Sequence, residues 1–225
     1  MNISKNLKEI QEDIAPYKPN IIAVTKYFDE SAIVDAYNAG LRDFAESRVI
    51  EAIEKISKLP DEIRKSSKFH FIGHLQTNKA KKAVEHFDII HSVDSLKLAR
   101  LISEEANYIG KIQDIFVEVN FAEEEQKFGI SKEEIFDFIS SIRNFSNINI
   151  RGLMSMAPLG ACEDELDKLY QKVFDTKLEL EDKLDIFLPD LSMGMSQDYK
   201  IAARHGATML RIGRKLFNTE EKRWQ

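Results

Sequence analysis

The run Ile21-Ile22-Ala23-Val24-Thr25-Lys26 is a short apolar and β-branched stretch that ends in a lysine. A run of this length predicts a buried β-strand. Seven similar runs follow along the chain, and segments with apolar residues at helical spacing separate them. This alternation is typical of a parallel α/β fold. The predicted strands are residues 21–25, 43–45, 69–72, 89–92, 115–119, 151–154, 190–192 and 209–212.

Eight strands that alternate with predicted helices match the count of a single (β/α)8 barrel of the TIM type. The alternative is a doubly wound open sheet, which usually has fewer strands and often carries a glycine-rich turn after the first strand. Thr25-Lys26-Tyr27 stands at that turn here, so the barrel is favoured. No linker or shift in composition divides the chain, which predicts one domain over residues 1–225. The predicted helices are residues 31–39, 48–58, 78–86, 95–107, 132–145, 162–184 and 196–205.

An extra helix is predicted before the first strand. Its apolar face consists of Ile3, Leu7, Ile10 and Ile14, spaced helically among charged residues, and it ends at Pro16. This segment lacks the apolar run of a signal peptide, so no targeting signal is expected.

Composition restricts the class of function. The 225 residues carry a formal net charge of −6, which argues against a broad nucleic-acid surface. The one cysteine, Cys162, cannot form an internal disulfide, which indicates a reducing compartment. No window is apolar enough for a membrane span. We therefore expect a cytoplasmic protein that binds neither nucleic acid nor membrane.

Common catalytic motifs are missing from the sequence, among them the P-loop, the dinucleotide-binding glycine motif and the nucleophile elbow. His70 and His74 are four residues apart in a strand-like run, which separates them by about 13 Å on one face. A shared metal is therefore disfavoured, and we expect histidines that line the barrel or its mouth. Cys162 lies beside Glu163 and Asp164, which oppose thiolate formation. Neither a metal site nor a cysteine nucleophile is predicted.

Functional residues of such a barrel project from the C-terminal ends of its strands. Lys26 is the most informative of them, since its amine should point into the barrel mouth. A lysine held neutral among apolar residues and near other cations is a nucleophile toward an aldehyde. The competing interpretation is a solvated lysine in a loop. The residues read from the eight strand ends are Lys26, Glu46, His74, Asp94, Asn120, Met154, Ser196 and Arg211.

The last third of the chain suggests an anion site. Residues 191–198, Leu-Ser-Met-Gly-Met-Ser-Gln-Asp, run from a strand into a helix, and residues 211–214, Arg-Ile-Gly-Arg, end the last strand. A helix N-terminus, the Ser196 hydroxyl and the backbone at Gly194 and Gly213 would together bind an anion. In this fold the loops after strands seven and eight commonly hold phosphate. The alternative is that both glycines serve tight turns and Ser196 caps a helix.

A nucleophilic lysine and a phosphate site in one barrel mouth indicate a phosphorylated aldehyde held as a Schiff base. Pyridoxal 5′-phosphate (PLP) is the leading candidate. A class I aldolase would use the same two parts, but it also needs acid–base residues beside the lysine. Glu46 is the nearest carboxylate by strand order.

Eight stretches, in this order, carry a resemblance to a known family: 23–26 (Ala-Val-Thr-Lys), 44–49 (Phe-Ala-Glu-Ser-Arg-Val), 70–79 (His-Phe-Ile-Gly-His-Leu-Gln-Thr-Asn-Lys), 119–120 (Val-Asn), 127–129 (Lys-Phe-Gly), 151–154 (Arg-Gly-Leu-Met), 191–196 (Leu-Ser-Met-Gly-Met-Ser) and 211–213 (Arg-Ile-Gly). Any one of them alone would be weak. Together they make the chain resemble the pyridoxal phosphate homeostasis proteins, barrel relatives of the alanine racemase N-terminal domain. The resemblance covers nearly the whole chain.

The resemblance implies a role for each of five residues. Lys26 would form the Schiff base with PLP. Ser196 and Gly213 would contact its phosphate, joined by the backbone N–H of Arg214. Arg211 would face the pyridine nitrogen, and because a guanidinium only donates hydrogen bonds, it disfavours protonation of that nitrogen. An unprotonated ring is a poorer electron sink, which limits carbanion chemistry.

The sequence departs from the family pattern at two places. Phe44-Ala45-Glu46-Ser47 stands where the family usually has Phe-Gly-Glu-Asn, so an asparagine amide near the cofactor is missing. Arg214 stands where the family usually has a small residue or threonine, so a threonine hydroxyl contact to phosphate is lost and a charge is added. Neither change removes Lys26, Ser196 or Arg211.

The resemblance implies a non-catalytic PLP carrier in vitamin B6 homeostasis, monomeric, with apo-enzymes that need PLP as recipients. The alternative is a PLP-dependent racemase-like enzyme, which needs a second base opposite the lysine. Alanine racemases take that base, a tyrosine, from an additional β domain, and since the sequence ends soon after Arg211, none is expected here. Tyr27 and Tyr199 are the tyrosines nearest the predicted mouth, but nothing in the sequence places either opposite Lys26. A third interpretation is an unrelated phosphate-binding barrel.

Overall fold

Eight parallel strands close into one barrel, in chain order, in the computed structural model, which describes residues 2–122 and 128–218. β8 pairs with β1 in parallel register, with Arg211 opposite Ile22. This closure confirms the predicted (β/α)8 barrel, and the open-sheet alternative is wrong. Lys127, part of one of the family stretches, lies outside the described residues. The strands are β1 (Asn20–Val24), β2 (Asp43–Glu46), β3 (Lys68–Phe71), β4 (Ile89–Val93), β5 (Gln113–Glu118), β6 (Ile148–Met154), β7 (Asp190–Ser192) and β8 (Met209–Ile212).

The helices in the described residues are α1 (Ile3–Asp13), α2 (Glu30–Asn38), α3 (Val49–Ser57), α4 (Asp61–Ser66), α5 (Ala80–His86), α6 (Leu96–Tyr108), α7 (Ile135–Ile142), α8 (Glu163–Leu184), α9 (Tyr199–Arg204) and α10 (Arg214–Phe217), with a 3₁₀ turn at Thr77–Lys79. The short helices α4 and α10 were not predicted, and α7 is shorter than predicted. α9 begins at Tyr199 and not at residue 196. The reason is a turn in which the Asp198 carboxylate accepts a hydrogen bond from the Met195 N–H.

Side chains alternate between the inside of the barrel and its outer layer. Along β1, Ile22 and Val24 belong to the inner apolar cluster, whereas Ile21 and Ala23 belong to the outer cluster that packs against the helices. Because successive side chains of a strand point to opposite faces, the inward side of β1 continues at Lys26. The inner cluster consists of Ile22, Val24, Ala45, Ile89, Phe116, Met154 and Met209.

The predicted N-terminal helix is present as α1, and it packs against α10. Ile10 is fully buried, and the buried Asn6 donates a hydrogen bond through Nδ2 to Leu216 O at 2.9 Å. Lys215 Nζ lies 3.3 Å from Glu9 Oε2. The extra helix therefore holds the segment that follows β8. Among the described residues, none of the helices has the length and apolar character needed to cross a membrane.

Candidate functional site

Lys26 lies two residues beyond the C-terminal end of β1, and the alternation of Ile22 and Val24 extrapolates to an inward side at this position. Its side chain is partly exposed, and Nζ lies 5.0 Å from the centroid of the neighbouring Tyr27 ring. Tyr27 is itself exposed. The amine is thus accessible to solvent.

A buried hydrogen-bonded group behind Lys26 restrains the end of β1. Thr25 Oγ1 donates to Glu46 Oε1 at 2.6 Å, and Lys55 Nζ donates to the same oxygen at 2.6 Å. Lys55 Nζ also donates to Thr25 O at 2.9 Å. The three side chains therefore restrain the backbone that carries Lys26.

Glu46 does not lie beside the lysine as an acid–base group, as strand order had suggested. In β2, Phe44 belongs to the outer cluster and Ala45 to the inner one, so Glu46 continues the outer side. Its carboxylate is bound there by Lys55 of α3. The class I aldolase interpretation loses the carboxylate on which it depended.

Lys26 and Gly213 follow neighbouring strands of the barrel. Ala23 pairs with Ile212, so Gly213 lies one residue and Lys26 three residues beyond that pair. With about 3.3 Å per residue along a strand and about 4.8 Å between strands, a straight continuation of both strands would put their backbones about 8 Å apart. A small phosphorylated molecule can span this gap.

Ser196 meets the N-terminal end of α10. Its Oγ accepts a hydrogen bond from the Lys215 N–H at 3.2 Å, and Gly213 is the N-cap residue of α10. Ser196 does not cap α9, whose N-cap is Asp198, but its hydroxyl accepts a backbone N–H in the first turn of α10, as the capping interpretation allows. The loops after β7 and β8 therefore meet at one helix end, where Arg214 is the first helical residue.

Gly194 serves internal packing and not the approach of a ligand. Its φ of +89° lies in the left-handed region, and a Cβ there would come within 2.5 Å of Ala202 Cβ and 2.8 Å of Leu210 Cδ2. The glycine is needed because α9 and β8 pack directly against its backbone. This corrects the expectation that Gly194 belongs to the anion site.

Arg211 lies inside the barrel and is 4% exposed. Nη1 donates to Ser192 Oγ at 2.7 Å, and Nη2 donates to Ser155 O at 2.9 Å. Burial lowers the pKa of the guanidinium, while the negative charge of the nearby Glu118 raises it. An arginine stays charged under such a shift, so the barrel interior holds a fixed cation.

Glu118 is a buried titratable residue of the barrel interior that the strand-end interpretation missed. It follows the inner-cluster residue Phe116 by two positions in β5 and is buried. Burial raises its pKa to about 7, the charge of Asp94 adds to this rise, and Arg211 opposes it. Burial also raises the pKa of Asp94, which lies 3.6 Å from His74. A glutamate inside the apolar run 115–119 was the sequence signal that could have identified it.

His70 and His74 have separate partners. His70 is fully buried in the barrel, where it contacts Asp43 and His91. His74 stands at the mouth with its ring stacked on Phe128, 3.8 Å between centroids. These are the lining and mouth positions that were expected. In the described ranges, no group of three or more histidine, cysteine or carboxylate side chains is arranged to hold a metal ion.

The sequence profile of the alanine racemase N-terminal domain matches residues 1–220 of this chain. A Synechocystis protein called pyridoxal phosphate homeostasis protein is 38% identical to it over 208 residues, which are 92% of this chain and 94% of the relative. The chain belongs to the pyridoxal phosphate homeostasis protein family. The resemblance inferred from the sequence is thus confirmed.

Solved structures of this family superpose closely. PipY of Synechococcus elongatus without PLP gives a TM-score of 0.90 at 36% identity, and PipY with PLP bound gives 0.86 at 35%. Each comparison covers 96% of this chain and 100% of PipY. An alanine racemase of Clostridium difficile, at 16% identity, gives a TM-score of 0.80 over 99% of this chain and 59% of that enzyme. This more distant likeness shows the shared fold.

Proposed function

We propose that this chain binds PLP in the barrel mouth and acts in PLP homeostasis. The observation that carries the proposal is the register of β1 and β8, which brings Lys26 and Gly213 to neighbouring strand ends, about 8 Å apart at the backbone by a straight continuation of both strands. The Lys26 amine condenses with the aldehyde of PLP to a Schiff base, and one water leaves. The names of the relatives and the PLP bound to PipY support this assignment.

The donors around the mouth suit the parts of PLP. We assign the phosphate to Ser196 Oγ and to the backbone of Gly213 and Arg214, because a helix N-terminus favours an anion. We assign the pyridine nitrogen to Arg211, which has only donors to offer. The residues present therefore fit the cofactor.

The proposed role is that of a carrier and not of an enzyme. Bound PLP supplies an electron sink for carbanions, and a guanidinium at its ring nitrogen weakens that sink. We further propose that residues 1–225 act as one domain, as a monomer in the cytoplasm, and pass PLP to apo-enzymes.

A racemase-like enzyme is the second candidate, and one observation favours it. Glu118 lies buried in the barrel, and burial raises its pKa to about 7. A group with such a pKa suits proton exchange near neutral pH.

Borohydride reduction of the PLP-loaded protein tests the proposal. We expect it to attach the cofactor covalently to the peptide that contains Lys26, and the Lys26→Ala variant to lose both this product and the visible band of the Schiff base. Lys8→Ala, at an exposed lysine of α1, is the matched control and should behave like the wild type. Attachment at another lysine would reject the site.

Exchange of the α-hydrogen of L-alanine for deuterium separates the two functions. A carrier exchanges it no faster than free PLP does. Exchange at about 1 per second or more would establish the enzyme in place of the carrier.

A further inference from the structure

A chain of buried hydrogen bonds runs through the barrel from Arg211 to the start of β2. Arg211 Nη1 is 2.7 Å from Ser192 Oγ, which is 2.8 Å from His91 Nδ1. His91 Nε2 is 2.9 Å from His70 Nδ1, and His70 Nε2 is 2.8 Å from Asp43 Oδ1. The chain thus consists of four hydrogen bonds that join side chains of five strands: β8, β7, β4, β3 and β2.

One donor direction, followed from the cationic end, satisfies every contact of this chain, and we infer that the chain adopts it. Arg211 can only donate, so Ser192 Oγ accepts and its own hydrogen is available to His91 Nδ1. His91 then carries its hydrogen on Nε2 and donates to His70 Nδ1. His70 carries its hydrogen on Nε2 and donates to the Asp43 carboxylate. Every contact is satisfied with both imidazoles neutral and Asp43 ionised.

The surroundings favour a neutral His91 and an ionised Asp43. Burial, the largest cause, holds the pKa of His91 well below its usual range, and the charge of Arg211 adds to this shift. Burial alone would raise the pKa of Asp43, but hydrogen bonds from His70 and Asn20 lower it below its usual value. Low polarity in the interior strengthens such a chain, since each bond polarises the next.

Packing leaves the members of the chain little freedom to move. His70, His91 and Ser192 are completely buried. The His91 ring stacks on Phe116, 4.4 Å between centroids and 19° between planes. Ser192 Oγ and Ser155 O hold the two terminal nitrogens of Arg211. The orientation of the guanidinium therefore depends on the orientation of the Ser192 hydroxyl, and that in turn on His91.

We propose that His91, His70 and Asp43 are positioning residues, which act through Ser192 to hold Arg211 in the orientation that meets the ring nitrogen of the cofactor. Only one step of this inference rests on the proposed function, namely the contact between Arg211 and the ring nitrogen of the cofactor. Because the Ser192 hydroxyl donates its hydrogen to His91 Nδ1, the lone pairs of Ser192 Oγ face the guanidinium. Without an acceptor at position 91, the Ser192 hydroxyl can turn and compete with Arg211 as a donor.

Nitrogen NMR of histidine-labelled wild-type protein, without cofactor, tests the hydrogen-bond chain itself. We expect His70 and His91 to be neutral and to carry hydrogen on Nε2. Hydrogen on Nδ1 of His91, or a charged His91, would overturn the inference. This measurement needs no variant to fold.

Two substitutions at position 91 test the effect on the site. His91→Leu removes the acceptor, and we expect PLP affinity to fall about tenfold and the absorption band of bound PLP to shift. His91→Asn can place its Oδ1 near the position of Nδ1, and it should keep most of the affinity and the wild-type band. His86→Leu, at an exposed histidine of α5, is the matched control. Equal losses in the leucine and asparagine variants would reject the role of the acceptor.

A double-mutant cycle with Arg211→Lys shows whether the effect passes through Arg211. The loss caused by His91→Leu should largely disappear in the Arg211→Lys background, whereas an undiminished loss would reject the positioning role. Borohydride trapping at Lys26 in the same samples separates the failures. If the wild type shows no trapping, the proposed function is rejected, and so is the step in which Arg211 meets the cofactor. The hydrogen-bond chain is then judged by the NMR result alone. If trapping occurs at Lys26 but the loss caused by His91→Leu is undiminished in the Arg211→Lys background, only this inference is rejected.

Discussion

Glu46 and Glu118 are two glutamates at the ends of barrel strands, both buried, with 2% and 4% of their surface exposed. Glu46 lies on the outer side of β2 and accepts hydrogen bonds from Thr25 and Lys55. Glu118 lies on the inner side of β5, where Asp94 is its acidic neighbour and its pKa is about 7. Burial is the same, but the partners differ. A carboxylate paired with a cation stabilises the fold, whereas a carboxylate beside a like charge can exchange a proton.

Breaking the outer pair should produce the largest effect. Lys55→Met leaves the buried Glu46 carboxylate without its cation, so we expect the free energy of unfolding to fall by about 4 kcal/mol. Urea unfolding at neutral pH measures this change. Adding Glu46→Gln to the same chain should recover part of the loss, because it removes the unpaired charge.

An exposed lysine on the same part of the chain provides the control for Lys55. Lys58 is 63% exposed and lies 3.9 Å from Glu30, so Lys58→Met should change stability by less than about 0.5 kcal/mol. Equal effects of the two substitutions would show that the buried pair does not restrain the end of β1.

On the inner side, Glu118→Gln should change how stability depends on pH. The pKa of Glu118 is about 7 in the folded chain, whereas the ordinary value of a glutamate is 4.5. The folded state therefore binds more protons between these values, and the free energy of unfolding of the wild type falls as pH rises from about 4.5 to about 7. Glutamine removes this loss. As the pH rises from 4 to 8, the free energy of unfolding of the variant should therefore increase by about 3 kcal/mol relative to that of the wild type.

Unfolding curves across this pH range measure the difference between the Glu118→Gln variant and the wild type. Glu54→Gln, at an exposed glutamate of α3, should run parallel to the wild type. A difference for Glu118→Gln that does not change with pH would mean that the pKa of Glu118 is the same in the folded and unfolded states.

Asp94→Asn should give the smallest change. It removes the like charge that helps to raise the pKa of Glu118, but burial, the larger cause, remains. The pKa of Glu118 should therefore fall, and the pH range over which the free energy of unfolding decreases should move to lower pH. The resulting change in stability should be a fraction of the change caused by Glu118→Gln. A carbon NMR titration of the Glu118 carboxyl group measures the shift. An unchanged titration would assign the whole perturbation to burial.

Most of the barrel could be predicted from local patterns. Runs of apolar residues identified all eight strands, and helical spacing identified α1, because each pattern depends on residues only two to four positions apart. The helices α4 and α10 escaped prediction, since they are too short for a periodic pattern to stand out. The start of α9 was missed because the Asp198 side chain holds a turn before it.

The candidate site was predicted only in part. Lys26, Ser196, Arg211, Gly213 and Arg214 were named from strand ends and family resemblance, and their roles stay predictions. Gly194 was misassigned because a glycine in a sequence does not reveal whether a ligand or a neighbouring helix needs the space. Glu118 was missed because the inward face of β5 becomes evident only from what Phe116 contacts.

The sequence by itself determined the barrel, its extra helix, its family and the lysine at the first strand end. Only the tertiary structure decided that Glu46 faces outward, that Glu118 faces inward, and that His91 contacts both His70 and Ser192, which are 21 and 101 residues away. The physical reason is that strand and helix periods are encoded among near neighbours in the chain. Which side chains share the barrel interior depends on the register between strands, and closure of the whole sheet sets that register.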